Sequence, residues 1–238
     1  MTKLVDCKSS MSNALATKLF FNSRAVLTVL LSLLLGVSST LAHADGETRT
    51  ETKKVDANAD PIQVVSGLTD DMMAIIKNDG ELFKKDPSAY YKKIQNNLES
   101  TVAFGLIARN VMGKYGKLAS DAQRDQFAEV FSRSLSETLG KGLANYSDLK
   151  VSTLPFDSKT GDLAVLRKVE VVQEVEAVDG TTHVSYTMAK NNSGEWKLVN
   201  VILNGVNLGK QFRNQFKQAM KQHDNKIEKV IESWSKPA

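Results

Sequence analysis

Between residues 60 and 144 apolar side chains recur every three to four positions. Between 149 and 203 they fall instead in short extended runs, so the chain reads as helices first and strands second. Asp60-Pro61 places a cap residue before a proline at the first helical position. Ile62, Val65, Leu68, Met72 and Ile75 or Ile76 then mark one face until Asn78 to Gly80 ends the helix. A second helix starts near Pro87 and carries Tyr90, Tyr91, Ile94 and Leu98. A third covers "VAFGLIARNVMGKY", with Phe104, Ile107, Ala108, Val111 and Met112 on one side. Ser120 and Gln123 form a capping-box pattern that opens the longest helix. Its stripe of Phe127, Phe131, Leu135, Leu139 and Leu143 is spaced by four throughout, and Gly140 and Gly142 are expected to weaken or bend its last turns.

The extended part begins with "LKVSTL" and "LAVLRKVEVVQEVEAV", turns at Asp179-Gly180, and continues through "TTHVSYTMA" and a "KNNSGE" turn. The stretch "EWKLVNVILNGVNLGKQFRNQF" changes period in its middle. Simple alternation puts Trp196, Leu198 and Ile202 on one face of a strand and Val199, Val201 and Leu203 on the other, so neither face is polar. After Asn204-Gly205, which permits a sharp change of direction, Leu208, Phe212 and Phe216 follow at helical spacing. The preceding strand adds Val184, Tyr186 and Met188. This order predicts one α+β domain over 60–236, with helices packed on a twisted antiparallel sheet of about four strands. Such residues fill a core as readily as they line a cavity, and periodicity does not distinguish the two.

The N-terminal region changes what there is to fold. Lys3, Lys8, Lys18 and Arg24 precede the run "AVLTVLLSLLLGV", which is followed by Ala42-His43-Ala44, the pattern of a secretory signal peptide over 1–44 cleaved after Ala44. The apolar run is shorter than the ~20 residues a membrane-spanning helix needs. Residues 45–59 are polar and aperiodic and are expected to be a disordered leader. The formal charge of the whole chain is +4. The signal peptide takes four cations and Asp6 with it, leaving the exported chain near +1 and a poor match for nucleic acid. It also takes Cys7, the only cysteine, so the exported domain has no disulfide or thiolate chemistry.

Little in the exported chain demands catalysis. His183 and His223 are isolated and lack the carboxylate pattern of a metal site, so no metal is expected. The sequence has no G-x-S-x-G elbow, phosphate loop or H-E-x-x-H motif, and the neighbouring Asp70 and Asp71 diverge on a helix. Lys210, Arg213, Lys217 and Lys221 form a basic stripe beside Leu208, Phe212, Phe216 and Ala219. It is either a solvated face or a docking rim.

Three segments taken together resemble the MlaC-type family of periplasmic phospholipid carriers, also described as toluene-tolerance auxiliary proteins. They are "PIQVVSGLTDDMMAIIKNDGELFKKDPSAYYKKIQ", "IARNVMGKYGKLASDAQRDQFAEVFSRSLSETLGKGLANY" and "SGEWKLVNVILNGVNLGKQFRNQF". The resemblance implies a sheet and helices enclosing an apolar cavity, with phospholipid as cargo, no cofactor, and a monomer in the periplasm. It also implies partners: an inner-membrane ABC transporter with an MCE-domain subunit, and an outer-membrane lipoprotein/porin complex. Carriage between them would maintain outer-membrane lipid asymmetry. On the pattern above, the expected cavity lining is Phe104, Ile107, Val111, Phe127, Phe131, Leu135, Leu139, Tyr186, Met188, Trp196, Val199, Val201, Leu208, Phe212 and Phe216. The expected rim or docking residues are Lys210, Arg213, Lys217 and Lys221. The chain departs from the pattern at Ala103-Phe104, where many relatives carry an aromatic-acid pair, and at Gly116, where many carry tryptophan. Two other classes stay open. One is an enzyme acting on an apolar small molecule, with Asp162, Tyr186 and His183 as candidate groups; the other is a periplasmic chaperone or adaptor with a surface groove.

Overall fold

The computed structural model describes residues 60–235, apart from 145, 147, 148, 157–160, 164, 178 and 179. The signal peptide, the leader and Asp179 of the expected hairpin turn therefore lie outside the described residues. The helices come first: α1 (Pro61–Asn78), α2 (Gly80–Lys85), α3 (Pro87–Thr101), α4 (Phe104–Met112), a 3-10 turn (Gly113–Lys117) and α5 (Asp121–Leu143). The strands follow: β1 (Lys150–Thr153), β2 (Lys168–Ala177), β3 (Gly180–Lys190), β4 (Trp196–Leu203) and β5 (Val206–Asn207). The chain closes with α6 (Leu208–Gln222) and α7 (Ile227–Ser235). No helix among the described residues is long and apolar enough to cross a membrane.

The expected capping box forms on Ser120 with Gln123, and the expected cap residue Asp60 forms a second box with Gln63. The short α2 is an addition to the expected set: Asp79 both ends α1 and starts the next turn. The "VAFGLIARNVMGKY" helix is briefer than its pattern, because the backbone at Gly113 takes φ 57 and the chain tightens into the 3-10 turn. The α5 helix runs through both Gly140 and Gly142 to Leu143. At Gly140 the reason is space, because a Cβ there would lie 2.7 Å from Tyr91 Cδ1 and 2.9 Å from Ile94 Cδ1, so the missing side chain lets α3 and α5 approach.

All five strands lie antiparallel in chain order, one more than expected. The addition is β5. Asn204 and Gly205 have φ 46 and φ 81, and two successive positive values make a tight hairpin. This pairs Leu203 with Val206 before Asn207 caps α6. Between Thr187 and Met188 the register with β4 shifts: Thr187 pairs with Asn200 but Met188 with Leu198, leaving Val199 as the extra residue of a bulge. The bulge reverses the alternation. Trp196 and Leu198 therefore share the helix-facing side with Val201 and Leu203, and the strict two-face assignment drawn from the sequence is corrected. A strand without a polar face is one whose apolar phase flips at Val199.

Helices cover one face of this sheet. Val102 leaves α3 extended and bridges Leu198, and Ala103 N donates to Leu198 O at 3.0 Å, tying the α3–α4 junction to β4. On the far side of α5 the rings of Phe127, Phe131, Phe212, Phe216 and Trp234 contact one another at centroid separations between 4.9 and 6.3 Å. Trp234 comes from α7, whose Ile227, Val230 and Ile231 are also buried.

Candidate functional site

A cavity of about 290 Å³ lies between the sheet and the helices, close to the lower bound of the ~300–1,000 Å³ usual for small-molecule sites. Its floor follows from strand register. Val151, Val175 and Thr182 form one cross-strand row, Gln173, Val184 and Leu203 the next, and Tyr186 with Val201 a third, with Leu198 beyond the bulge. Leu68, Thr69, Met72 and Met73 of α1 and Leu98 of α3 supply wall, and Val102 and Ile107 close it near the α3–α4 junction. Further wall comes from Phe131, Leu135, Leu139 and Leu143 of α5, and from Leu208 and Phe212 of α6. No charged side chain appears among the described lining residues. A smaller pocket of about 30 Å³ shares Phe131, Leu135 and Phe212 with the main cavity, so these three side chains partition the two.

Of the residues expected on the lining, Ile107, Phe131, Leu135, Leu139, Tyr186, Val201, Leu208 and Phe212 lie there. The others lie elsewhere. Phe127 and Phe216 sit behind the partition in the ring cluster, and Phe104 meets the edge of Phe131 at 6.4 Å. Val111 and Met188 are core residues, Trp196 is buried with the Lys190 ammonium 5.0 Å from its ring centre, and Val199 is the bulge residue. A stripe spaced by four cannot reveal this split, because successive positions drift around a helix of 3.6 residues per turn. Phe127 and Phe131 thus share the ring cluster, with centroids 5.9 Å apart, yet only Phe131 also reaches the cavity.

The expected lining left out apolar contributors, among them Leu68, Met72, Met73, Leu98, Val175 and Leu203, and it left out polar ones. Gln173 is 1 % exposed and stands on the inward face of β2 amid Val169, Val171 and Val175. Its Oε1 accepts from Thr69 Oγ1 at 3.0 Å and its Nε2 donates to Thr153 Oγ1 at 2.9 Å; Thr153 in turn lies 3.0 Å from Ser66 Oγ. A glutamine in an alternating valine series was the available signal. Next to it Tyr186 faces the cavity, hydrogen-bonded to Thr69, and burial pushes its phenol up to about 12.

The other candidate groups do not converge on this site. His183 is three residues from Tyr186 with no bulge between them, hence on the opposite face of β3, where its Nε2 lies 3.0 Å from Glu174 Oε1 near solvent. Asp162 receives the backbone N–H groups of Val165 and Leu166 on its own carbonyl, in the loop before β2. His223 caps α6, and no group of three or more His, Cys, Asp or Glu able to hold a metal occurs among the described residues. Lys210, Arg213, Lys217 and Lys221 are exposed along α6, on a different side from Phe212. Gly116 is buried, and a Cβ there would lie 3.3 Å from Met112 Cβ and 3.4 Å from Arg109 O, so a larger side chain requires its neighbours to shift.

Comparison with known proteins adds four findings. Residues 66–236 match the family described as MlaC protein. The chain is 33 % identical over 177 residues to toluene tolerance protein ttg2D of Pseudomonas putida, covering 74 % of this chain and 80 % of that one. It is 25 % identical over 158 residues to the intermembrane phospholipid transport system binding protein MlaC of Haemophilus influenzae, covering 66 % and 73 % respectively. In fold it resembles the phospholipid-binding protein from Ralstonia solanacearum solved in complex with a phospholipid, with TM-score 0.65 and 22 % identity over 74 % of this chain and 95 % of that one.

Proposed function

The chain belongs to the MlaC family, and we propose that it is a periplasmic phospholipid carrier whose cargo tails occupy the cavity between sheet and helices. In this reading residues 1–44 direct export and are removed, 45–59 form a leader, and 60–236 are the lipid-binding domain, working as a monomer. The carrier exchanges lipid with an outer-membrane lipoprotein/porin complex and with an inner-membrane ABC transporter bearing an MCE-domain subunit.

The observation that carries the reading is the lining itself: helix and sheet walls meet around a cavity with no charged side chain among its described residues. A diacyl lipid has roughly 30 methylenes worth about 0.8 kcal/mol each when kept from water, so a carrier must offer a dry surround nearly as favourable as the bilayer. Exchange between the two then runs near balance. Catalysis finds less support here. The ionisable groups on the described lining are the phenols of Tyr146 and Tyr186, and burial makes Tyr186 harder to ionise, so the site has no acid–base pair.

Transfer of a labelled phospholipid from the purified exported protein to acceptor vesicles tests the reading. The expected result is one labelled lipid retained through gel filtration and then released to acceptor vesicles; failure to retain any lipid contradicts it.

A further inference from the structure

Charge on the domain is unevenly placed. No Asp or Glu occurs between Glu99 and Asp121, nor between Glu195 and Asp224, yet these two intervals hold eight Lys and Arg residues of an exported chain whose net charge is near +1. The remainder of the chain is correspondingly acidic.

The two intervals form one surface. Arg213 on α6 donates from Nε to the carbonyl of Asn110 on α4 at 2.7 Å, its side chain passes over Gly113, and the rings of Tyr115 and Phe216 lie 6.1 Å apart beneath. Arg109, Lys114 and Lys117 are exposed on the α4 side. Lys210, Lys217 and Lys221 are exposed on the α6 side. Lys197 is turned away, bound to Ser100 O and beside Glu195. Asp121, the carboxylate that ends the first interval, is paired with Arg124.

Among the cations stand two leucines open to solvent: Leu106 on α4 is 45 % exposed and Leu118 after the 3-10 turn is 76 % exposed. We propose that this face adsorbs to the surface of an anionic phospholipid bilayer, the lysines meeting lipid phosphates and Leu106 and Leu118 entering the headgroup boundary. Cations interleaved with exposed apolar side chains are the signature of interfacial binding. The two exposed leucines, and not the cations, favour lipid over an acidic protein: a headgroup boundary takes up apolar side chains, whereas a carboxylate surface leaves Leu106 and Leu118 in water. Adsorption has a consequence for cargo. Ile107 and Phe212, the chain neighbours of Leu106 and Arg213, line the cavity, so the helices that touch the bilayer are also cavity walls.

Flotation with phosphatidylcholine vesicles, with and without phosphatidylglycerol, tests this on the full exported chain. Lipid content of the same preparations reports the carrier reading separately. Binding is expected only with phosphatidylglycerol, and to be lost toward 1 M salt, where the Debye length falls to ~3 Å. Lys114→Gln with Lys117→Gln is expected to weaken partitioning roughly 25-fold, about a factor of five per cation. Leu118→Ser is expected to weaken it at unchanged charge. Absence of binding to phosphatidylglycerol vesicles at low salt overturns the proposal. So does binding that Leu118→Ser leaves intact while soluble polyglutamate competes it away, which assigns the face to an acidic protein.

Discussion

The hydroxyl of Thr69 on α1 donates to the side-chain carbonyl of Gln173 on β2 at 3.0 Å, making a polar clasp between helix and sheet inside an uncharged, largely apolar lining. Thr69 also lies 2.9 Å from the carbonyl of Val65, so it keeps an acceptor when Gln173 is lost, whereas Gln173 depends on Thr69 and Thr153. Gln173→Leu is expected to cost about 1–2 kcal/mol in urea unfolding. A double-mutant cycle with Thr69→Val should give a coupling of about 1 kcal/mol. Additive effects would show the two groups to be independent.

The partition of rings separates residues that stabilise the fold from residues that shape the cavity. Phe216 is 0 % exposed, with the Phe127 ring centre 4.9 Å away and Trp234 stacked on it at 5.6 Å. Phe216→Ala is therefore expected to cost about 3–5 kcal/mol. Val201 faces the cavity from the floor. Val201→Glu should lower the lipid retained through purification while far-ultraviolet dichroism stays at the wild-type level; wild-type lipid content in this variant would place the tails elsewhere.

Two glycines in helices should respond oppositely to the same change. At Gly67 in α1 a Cβ meets nothing within 4 Å, so Gly67→Ala is expected to add about 0.5–1 kcal/mol through helix propensity. Gly140→Ala gains the same propensity but drives its methyl against Tyr91 and Ile94, and overpacking of about 1–3 kcal/mol outweighs it. Thermal unfolding of both variants reads the signs directly.

Much of the fold was legible because it rests on local chemistry: cap residues fixed the starts of α1 and α5, and period separated helices from strands. The bulge at Val199 was hidden, since it depends on pairing with β3 and not on anything in β4 alone. The site was harder to read. Phe127 and Phe131 share one stripe, yet only Phe131 reaches the cavity, and the difference lies in α6 and α7 packing behind them. By contrast α7 carried a readable signal in Ile227, Val230, Ile231 and Trp234 at helical spacing, and Gln173 stood out among valines; both follow from pattern once a single polar or short element is given weight.

Burial of Tyr186 makes stability fall at high pH. Its phenol is raised from the ordinary 10.0 to about 12. Below pH ~10 it is neutral in both folded and unfolded chains and the stabilisation is fully present. Between ~10 and ~12 the unfolded chain alone releases the proton, so stability is lost progressively, by about 2–3 kcal/mol in all. Urea midpoints for Tyr186→Phe should decline less steeply across this window than those of the wild type, and the phenolate absorbance titration should lose its latest component. Identical slopes would mean that the phenol reaches water.

The function of the cavity turns on what it holds. Organic extraction of the exported protein, purified without detergent and analysed by mass spectrometry with phosphate quantitation, addresses this directly. The expected result is phospholipid in roughly equimolar amount, reduced in Val201→Glu and unchanged in Lys114→Gln. Protein that emerges folded and free of phospholipid, or that releases instead a small apolar metabolite in equimolar amount, would contradict the carrier reading.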